Sequence, residues 1–370
     1  MRKTKLLMAV ASALLATAVH AQGVLGGSSV TLFGLIDAGV SYVSNESGHS
    51  NLKFDDGIAL PNLFGIRGNE DLGGGLHAVF SLVDQFILGD GSITPGQGLF
   101  GRTAYVGLSS DQYGTVTLGN QYDFMTDSLF ASRSDAAMTV GGLYNFRAGP
   151  FSKIGIPGNP PFAPQYDWDR MAGATVQNAL KYQSPTMGGF RFGALYGFGG
   201  IPGSFGRGNA TSFGVNYDHG PFGAAAAYTE VKYVVAGQPD TNIRNWGVGA
   251  HYQLGNVNAT ALVTTVRNTA NGGAIAEGEV GASWQIEPDW GVGADYMYMK
   301  GNAVLDSNHA HQISAIVNHN LSKRTNIYVE TVYQRTNSTA QALINGVLDP
   351  DGTSSSPTQF IARVGVATRF

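Results

Sequence analysis

From Ser29 to the C-terminus the chain repeats one pattern: large apolar residues alternate with small or polar ones, a period of two that only an extended strand sorts onto two faces. In Trp246-Gly247-Val248-Gly249-Ala250-His251-Tyr252-Gln253-Leu254 one face carries Trp, Val, Ala, Tyr and Leu, and the other Gly, Gly, His and Gln. The same split recurs from Trp290 to Tyr298 and from Phe190 to Phe198. No stretch keeps the i, i+3, i+4 spacing of an amphipathic helix for long. A soluble sandwich also alternates. What separates the two is the apolar face, which here places Trp, Tyr or Phe near its ends with Val, Ala and Leu between them. That order suits a lipid-facing band flanked by aromatic girdles.

The connections alternate as well. Short turns fall at Asp71-Leu72-Gly73-Gly74, Asp111 to Gly114, Ser184-Pro185, His219-Gly220-Pro221, Gly255-Asn256, Pro288-Asp289 and Ser322-Lys323-Arg324, with longer polar stretches between them. Alternating segments begin near residues 29, 61, 76, 100, 115, 176, 190, 209, 222, 243, 257, 275, 290, 309, 325 and 358, which makes sixteen strands. An even number returns both termini to one side and leaves no unpaired edge in lipid. The fold class expected is all-β, a 16-stranded antiparallel transmembrane β-barrel.

Composition removes the main competitors. With no Cys among 370 residues a disulfide scaffold is excluded, and no mature segment has the roughly 18 apolar residues of a membrane helix. A net charge of −4 argues against a nucleic-acid partner. Arg2, Lys3 and Lys5 precede an apolar stretch from Leu6 to Val19 and then His20-Ala21-Gln22, so residues 1–21 are read as a signal peptide cleaved after Ala21. Residues 22–370 then form one barrel domain.

One segment departs from the pattern. Residues 124–174 form a connection of about fifty residues that carries Asp127, Arg133, Asp135, Arg147, Lys153, Asp167, Asp169 and Arg170. A sixteen-stranded barrel is wide enough for an aqueous channel, which such a loop would narrow by folding inward; the alternative is an outward surface loop.

These segments together resemble the trimeric general-diffusion porins of β-proteobacterial outer membranes. The resemblance runs through Ser29-Val30-Thr31-Leu32-Phe33-Gly34-Leu35-Ile36-Asp37, Phe64 to Leu76, Phe100 to Leu108, Gly114 to Gly119, Lys181-Tyr182-Gln183-Ser184-Pro185 and His311 to Thr325, and ends on Phe370. It implies a homotrimer in the outer membrane of a Gram-negative bacterium, with the long third loop folded into the pore, passing ions and small hydrophilic solutes passively. It also implies lipid and lipopolysaccharide as surroundings, and Phe370 as the signal read by the barrel-assembly machinery. Such porins set basic wall residues opposite acidic loop residues. Arg67 and Arg102 match wall positions, and strand parity adds Lys181. The cost of a charge facing mid-bilayer, about 2 to 4 kcal/mol for Arg or Lys, directs Asp37, Asp295, Glu330 and Arg363 inward as well. Asp37 joins the expected constriction wall; Asp127, Arg133, Asp135 and Arg147 are expected on the constriction loop. Arg267 and Arg335 near strand ends stay unassigned.

The sequence departs from the family at Leu63, Asn120 and Thr175, where arginine is common, so the basic ladder is thinned and anion preference should be weak or absent. No catalytic motif is present: no Lys follows Gly, and no Gly-x-Ser-x-Gly occurs. Neither an enzyme nor a cofactor is expected. His309 and His311 share a strand face and read as a rim pair rather than a metal site, because His319 lies about 27 Å farther along the strand. Asp55-Asp56 and Asp167/Asp169 read as solvated loop carboxylates. A substrate-selective channel, with Leu63, Tyr144, Phe146, Phe151 and Phe162 along a greasy path, and a structural or adhesive barrel are the alternatives.

Overall fold

The computed structural model describes residues 28–94, 98–132, 140, 142–145, 148–157, 167–237, 239–344 and 352–370. The expected signal peptide therefore lies outside the described residues. Seventeen strand segments form one sheet: β1 Ser29–Glu46, β2 His49–Asp56, β3 Leu63–Gly73, β4 Leu76–Gln85, β5 Thr103–Ser110, β6 Gly114–Tyr122, β7 Thr175–Gln183, β8 Phe190–Gly197, β9 Ala210–His219, β10 Phe222–Tyr233, β11 Thr241–Leu254, β12 Val257–Asn268, β13 Ala274–Gln285, β14 Trp290–Gly301, β15 His309–Asn320, β16 Thr325–Thr336 and β17 Thr358–Arg369. Successive strands pair antiparallel, except β2 and β3, which both pair with β1. β1 closes the sheet on β17, from Leu35 opposite Arg369 to Val43 opposite Ile361.

β2 and β3 are two parts of one wall strand. β1 pairs with β3 between Ser29 and Leu35, and with β2 between Ala38 and Glu46, so the barrel has sixteen strands. The expectation that the second strand begins near residue 61 missed its first half. Side chains bridge the break between the two parts: Asn62 Oδ1 accepts the Asp37 N–H at 2.8 Å, and Ile58 N–H donates to Asp37 Oδ1 at 3.0 Å. Backbone groups that lose their ladder partners thus keep acceptors and donors, as buried amides require.

Alternation resolves as expected. Trp246, Val248, Tyr252 and Leu254 are exposed on the outward face of β11, while Asn245 on the other face is fully buried. In lipid this arrangement pairs the ladder amides and turns a mainly apolar face outward. At the seam Phe370 exchanges both backbone hydrogen bonds with Gly34 at 3.1 Å. Its ring covers that glycine so closely that a Cβ there would stand 2.2 Å away.

The lumen of the barrel is not empty. Inward positions of β11 to β14 that alternation assigns to water instead carry Ile243, Val266, Ile275, Met297 and Met299, all buried, and packed on them are Phe151, Ile154, Ile156 and Trp168 from the segment between β6 and β7.

Candidate functional site: the inward loop and the lumen wall

The described parts of the connection between β6 and β7 pack inside the barrel, where their polar atoms and rings match inward positions of the wall. Its first turn docks on β9: Phe124 N–H donates to Ser212 Oγ at 2.9 Å and Asn216 Nδ2 to the Ser128 carbonyl at 2.9 Å. Two inward glycines make room, since a Cβ at Gly193 or Gly214 would stand 2.2 or 2.6 Å from the Phe124 ring. Farther along, the Tyr144 hydroxyl is 2.5 Å from Ser41 Oγ and donates to Asp55 Oδ2 at 2.8 Å. Asn268 donates to the Ile154 carbonyl at 2.8 Å, and Asn245 to the Trp168 carbonyl at 2.7 Å. The loop is thus tied to β1, β9, β11 and β12 from inside.

Its two ends are joined by an ion pair. Arg170 Nε meets Asp123 Oδ2 with both side chains almost fully buried, and Thr126 donates to the Arg170 carbonyl at 3.0 Å. Asp167 and Asp169 are also buried here. Asp167 accepts the Ala172 N–H at 2.7 Å, and the Thr264 hydroxyl lies 3.1 Å from both Asp169 Oδ2 and Glu277 Oε2. The expectation of solvated carboxylates at 167 and 169 is corrected: a long loop turned inward brings its own charges into the protein.

The Asp167 carboxyl, outside the membrane-spanning strands, is pushed up to about 8, first by burial and then by the neighbouring Asp169 charge. The sign follows from the unfolded value near 4. A docked loop that holds this proton is favoured below about pH 4, loses docking stability as pH rises between about 4 and 8, and loses no more above. Current noise from loop fluctuation should grow over that window in planar-bilayer recordings, and Asp167→Asn should flatten the dependence.

Several inward residues of β3 to β6 stay half-exposed. Arg67 lies there with its guanidinium 5.3 Å from the Phe33 ring centroid, beside half-buried Ser81 and Tyr105. Arg102, just before β5, reaches the Tyr122 hydroxyl and the Gln85 side chain, and donates to the Ala172 carbonyl at 3.2 Å, at the return end of the loop. Lys181 on β7 pairs with Asp127 of the loop and donates to the Tyr122 carbonyl at 2.8 Å. The structure therefore brings Lys181 and Asp127 together, wall to loop, and places Arg67 and Arg102 along the same side.

Asp37 is different. It faces inward, yet it is fully buried, 2.9 Å from Arg363 and accepting from the Tyr328 hydroxyl at 2.5 Å. It seals the break in the second strand and is not a wall charge in contact with water. Arg363 is buried with it, and Glu330 and Asp295 face inward and are buried too. Arg133, Asp135 and Arg147 lie outside the described residues. Sequence reading missed Asp123 as the partner of Arg170; its only signal was a carboxylate at the start of the long connection.

Leu63, one of the arginine-to-neutral departures, packs with Leu35, Val83 and Phe33 on the inner wall. Asn120 is committed to the Gly101 carbonyl at 2.8 Å. Tyr144 and Phe151 are buried against the wall, so the greasy path that these two rings could have lined is not formed by them; Phe146 and Phe162 lie outside the described residues. His309 and His311 face outward at the rim, their rings 5.8 Å apart.

Residues 7–339 match the sequence profile of the Gram-negative porin family. The chain is similar to outer membrane porin protein 32 of Delftia acidovorans, 30% identical over 93% of this chain and 94% of that one. It is also 30% identical to an outer membrane porin of Bordetella pertussis, over 61% of each chain, so this match spans less than two thirds of that relative. Among solved structures it is similar to the anion-selective porin from Comamonas acidovorans, with a TM-score of 0.75 and 26% identity over 93% of this chain and 100% of that one.

Proposed function

We propose a permeation mechanism from the premise that this chain belongs to the Gram-negative porin family. It is an outer-membrane β-barrel channel for passive diffusion, and its relatives are channels rather than enzymes. In our reading, water and solutes pass on the side of the lumen that the loop leaves open, bounded by β3 to β6. Arg67 and Arg102 give that side its positive charge, and Asp127 neutralises Lys181. The single observation that carries this is the loop docked inside the barrel against β9 and β11 while Arg67 and Arg102 stay half-exposed on the wall of β3 to β6. The assembly is a homotrimer, as the sequence resemblance implies, surrounded by lipid and lipopolysaccharide and inserted through its C-terminal strand.

The relative from Comamonas acidovorans is described as anion-selective. Two wall positions of this chain add nothing to such a preference: Leu63 is part of an apolar cluster and Lys181 pairs with Asp127. Charged rings decide which ions enter a pore. The reversal potential in a salt gradient should therefore lie near zero, and Leu63→Arg should move it toward the anion potential. A strongly anion-selective potential for the unmodified protein contradicts the reading.

A further inference from the structure

A second connection enters the lumen beside the long loop. Residues 337–344 and 352–357, the described parts of the connection between β16 and β17, bring Ala342, Leu343 and Ile344 to buried positions. The two limbs pair with each other: Ala342 N–H donates to the Ser356 carbonyl at 3.0 Å, and Ser354 N–H to the Ala342 carbonyl at 2.9 Å. Ile344 joins an inner cluster with Val43, Ile58, Val332, Ile361 and Tyr144, the last a residue of the long loop.

Three glutamines hold this arrangement. Gln312 on β15 stands opposite Gln334 on β16, and Gln334 opposite Gln359 on β17, so the three amides lie side by side at one level of the wall. All three are buried. A side-chain amide offers donors and an acceptor at once, and here both kinds are used. Gln334 Oε1 accepts the Leu343 N–H at 2.8 Å, while its Nε2 donates to the Leu343 carbonyl at 2.9 Å and to Gln312 Oε1 at 2.8 Å. Gln312 Nε2 donates onward to the Tyr144 carbonyl at 3.2 Å. On the other side Gln359 accepts the Ile344 N–H at 2.8 Å and donates to the Gly352 and Asn45 carbonyls at 2.6 and 2.8 Å. A continuous chain of hydrogen bonds therefore runs along the wall from the backbone of the last connection to the backbone of the long loop.

We propose that the connection between β16 and β17 latches the constriction loop, with Gln334, Gln312 and Ile344 as positioning residues. Lifting the last connection leaves the amide of Gln334 buried with half its partners gone and removes the Ile344 packing beside Tyr144; freeing the long loop strips Gln312 of an acceptor in the same network. Each departure makes the other easier, because buried amides left unpaired are costly and members of one network depend on each other. Such coupling is reciprocal. The width of the pore is then set by two connections moving together. The inference rests on the reading of the chain as a porin with an inward loop.

The chain has no Cys, so a single Ala148→Cys, at a buried position of the long loop, reports undocking through its rate of labelling by a water-soluble maleimide. Among the described residues Gln334 bonds to Gln312 and Leu343 and not to the long loop, yet Gln334→Met should speed labelling at position 148 about tenfold, within the usual range of coupling between sites. Replacing residues 342–354 by a short Gly-Ser linker should do the same, and the two changes together should add little to either alone. Ile344→Ala is a further variant with the same expected direction, whereas Ser355→Ala, at the exposed surface of the connection, should leave the rate unchanged. Unheated electrophoresis checks that each barrel is folded. Unchanged labelling in the linker variant, or effects of Gln334→Met and the linker that multiply, would overturn the proposal. Each protein is also recorded in a planar bilayer. Normal conductance of the unmodified protein with uncoupled labelling defeats this inference alone, while absent conductance defeats the porin mechanism.

Discussion

Replacing Arg363 by methionine is expected to destabilise the barrel by about 3 to 5 kcal/mol, the usual cost of stripping one partner from a buried ion pair. The guanidinium is completely buried and holds four groups at once: Asp37 at 2.9 Å, the Tyr328 hydroxyl at 2.8 Å, Ser41 Oγ at 3.2 Å and the Asp55 carbonyl at 3.1 Å. Glu330, directly opposite it in register, is buried too. Without the cation, Asp37 and Glu330 are two desolvated carboxylates on one wall, and the link between β17 and the broken second strand is lost. The check is the temperature at which the folded, fast-migrating form disappears in unheated electrophoresis. Asp37→Asn added to Arg363→Met should recover part of the loss, because it removes the unpaired charge; no recovery would mean that the guanidinium acts through packing instead.

The second large effect falls on permeation. Arg170→Met leaves Asp123 buried without the cation that it pairs with, beside the buried Asp167, again at a cost of about 3 to 5 kcal/mol. Here the penalty can be relieved without unfolding the barrel, since the loop can leave the wall and take its carboxylates into water. The predicted result is a barrel of normal thermal stability whose single-channel conductance rises, with rapid flicker as the loop docks and undocks. Asp123→Asn together with Arg170→Met should restore docking in part. An unchanged, quiet conductance in Arg170→Met would show that the loop is held by its apolar contacts alone.

Much of this architecture follows from local pattern. The outward faces of Trp246 to Leu254 and Trp290 to Tyr298, the position of the long connection and the inward direction of Lys181 all rest on a period of two, which is a property of a few neighbouring residues. The first half of the second strand, His49–Asp56, was hidden because its apolar pair, Leu52 and Phe54, is short and set among polar residues, and its strand is interrupted before resuming at Leu63. Met297, Met299, Val266 and Ile275 break the rule that inward means polar. Their reason is a loop more than seventy residues away along the chain, which no local window contains.

The same distance separates direction from environment. Parity turned Asp37 inward correctly, but whether it meets water depends on Arg363 and Tyr328, at the other end of the sequence. Asp167 and Asp169 looked like ordinary loop carboxylates because the sequence does not state what the loop lies on. Charge, spacing and turn chemistry specify the wall; the contents of the lumen are set by contacts across it.

The most direct test of the account is the single-channel conductance of the purified protein in a planar bilayer, measured before and after addition of a small sugar. The account predicts a large, ohmic conductance that closes in three equal steps and is indifferent to the sugar, as expected for three open, water-filled channels with an inward loop. A correctly folded barrel that passes no current, or a small conductance blocked by one particular sugar, would contradict it.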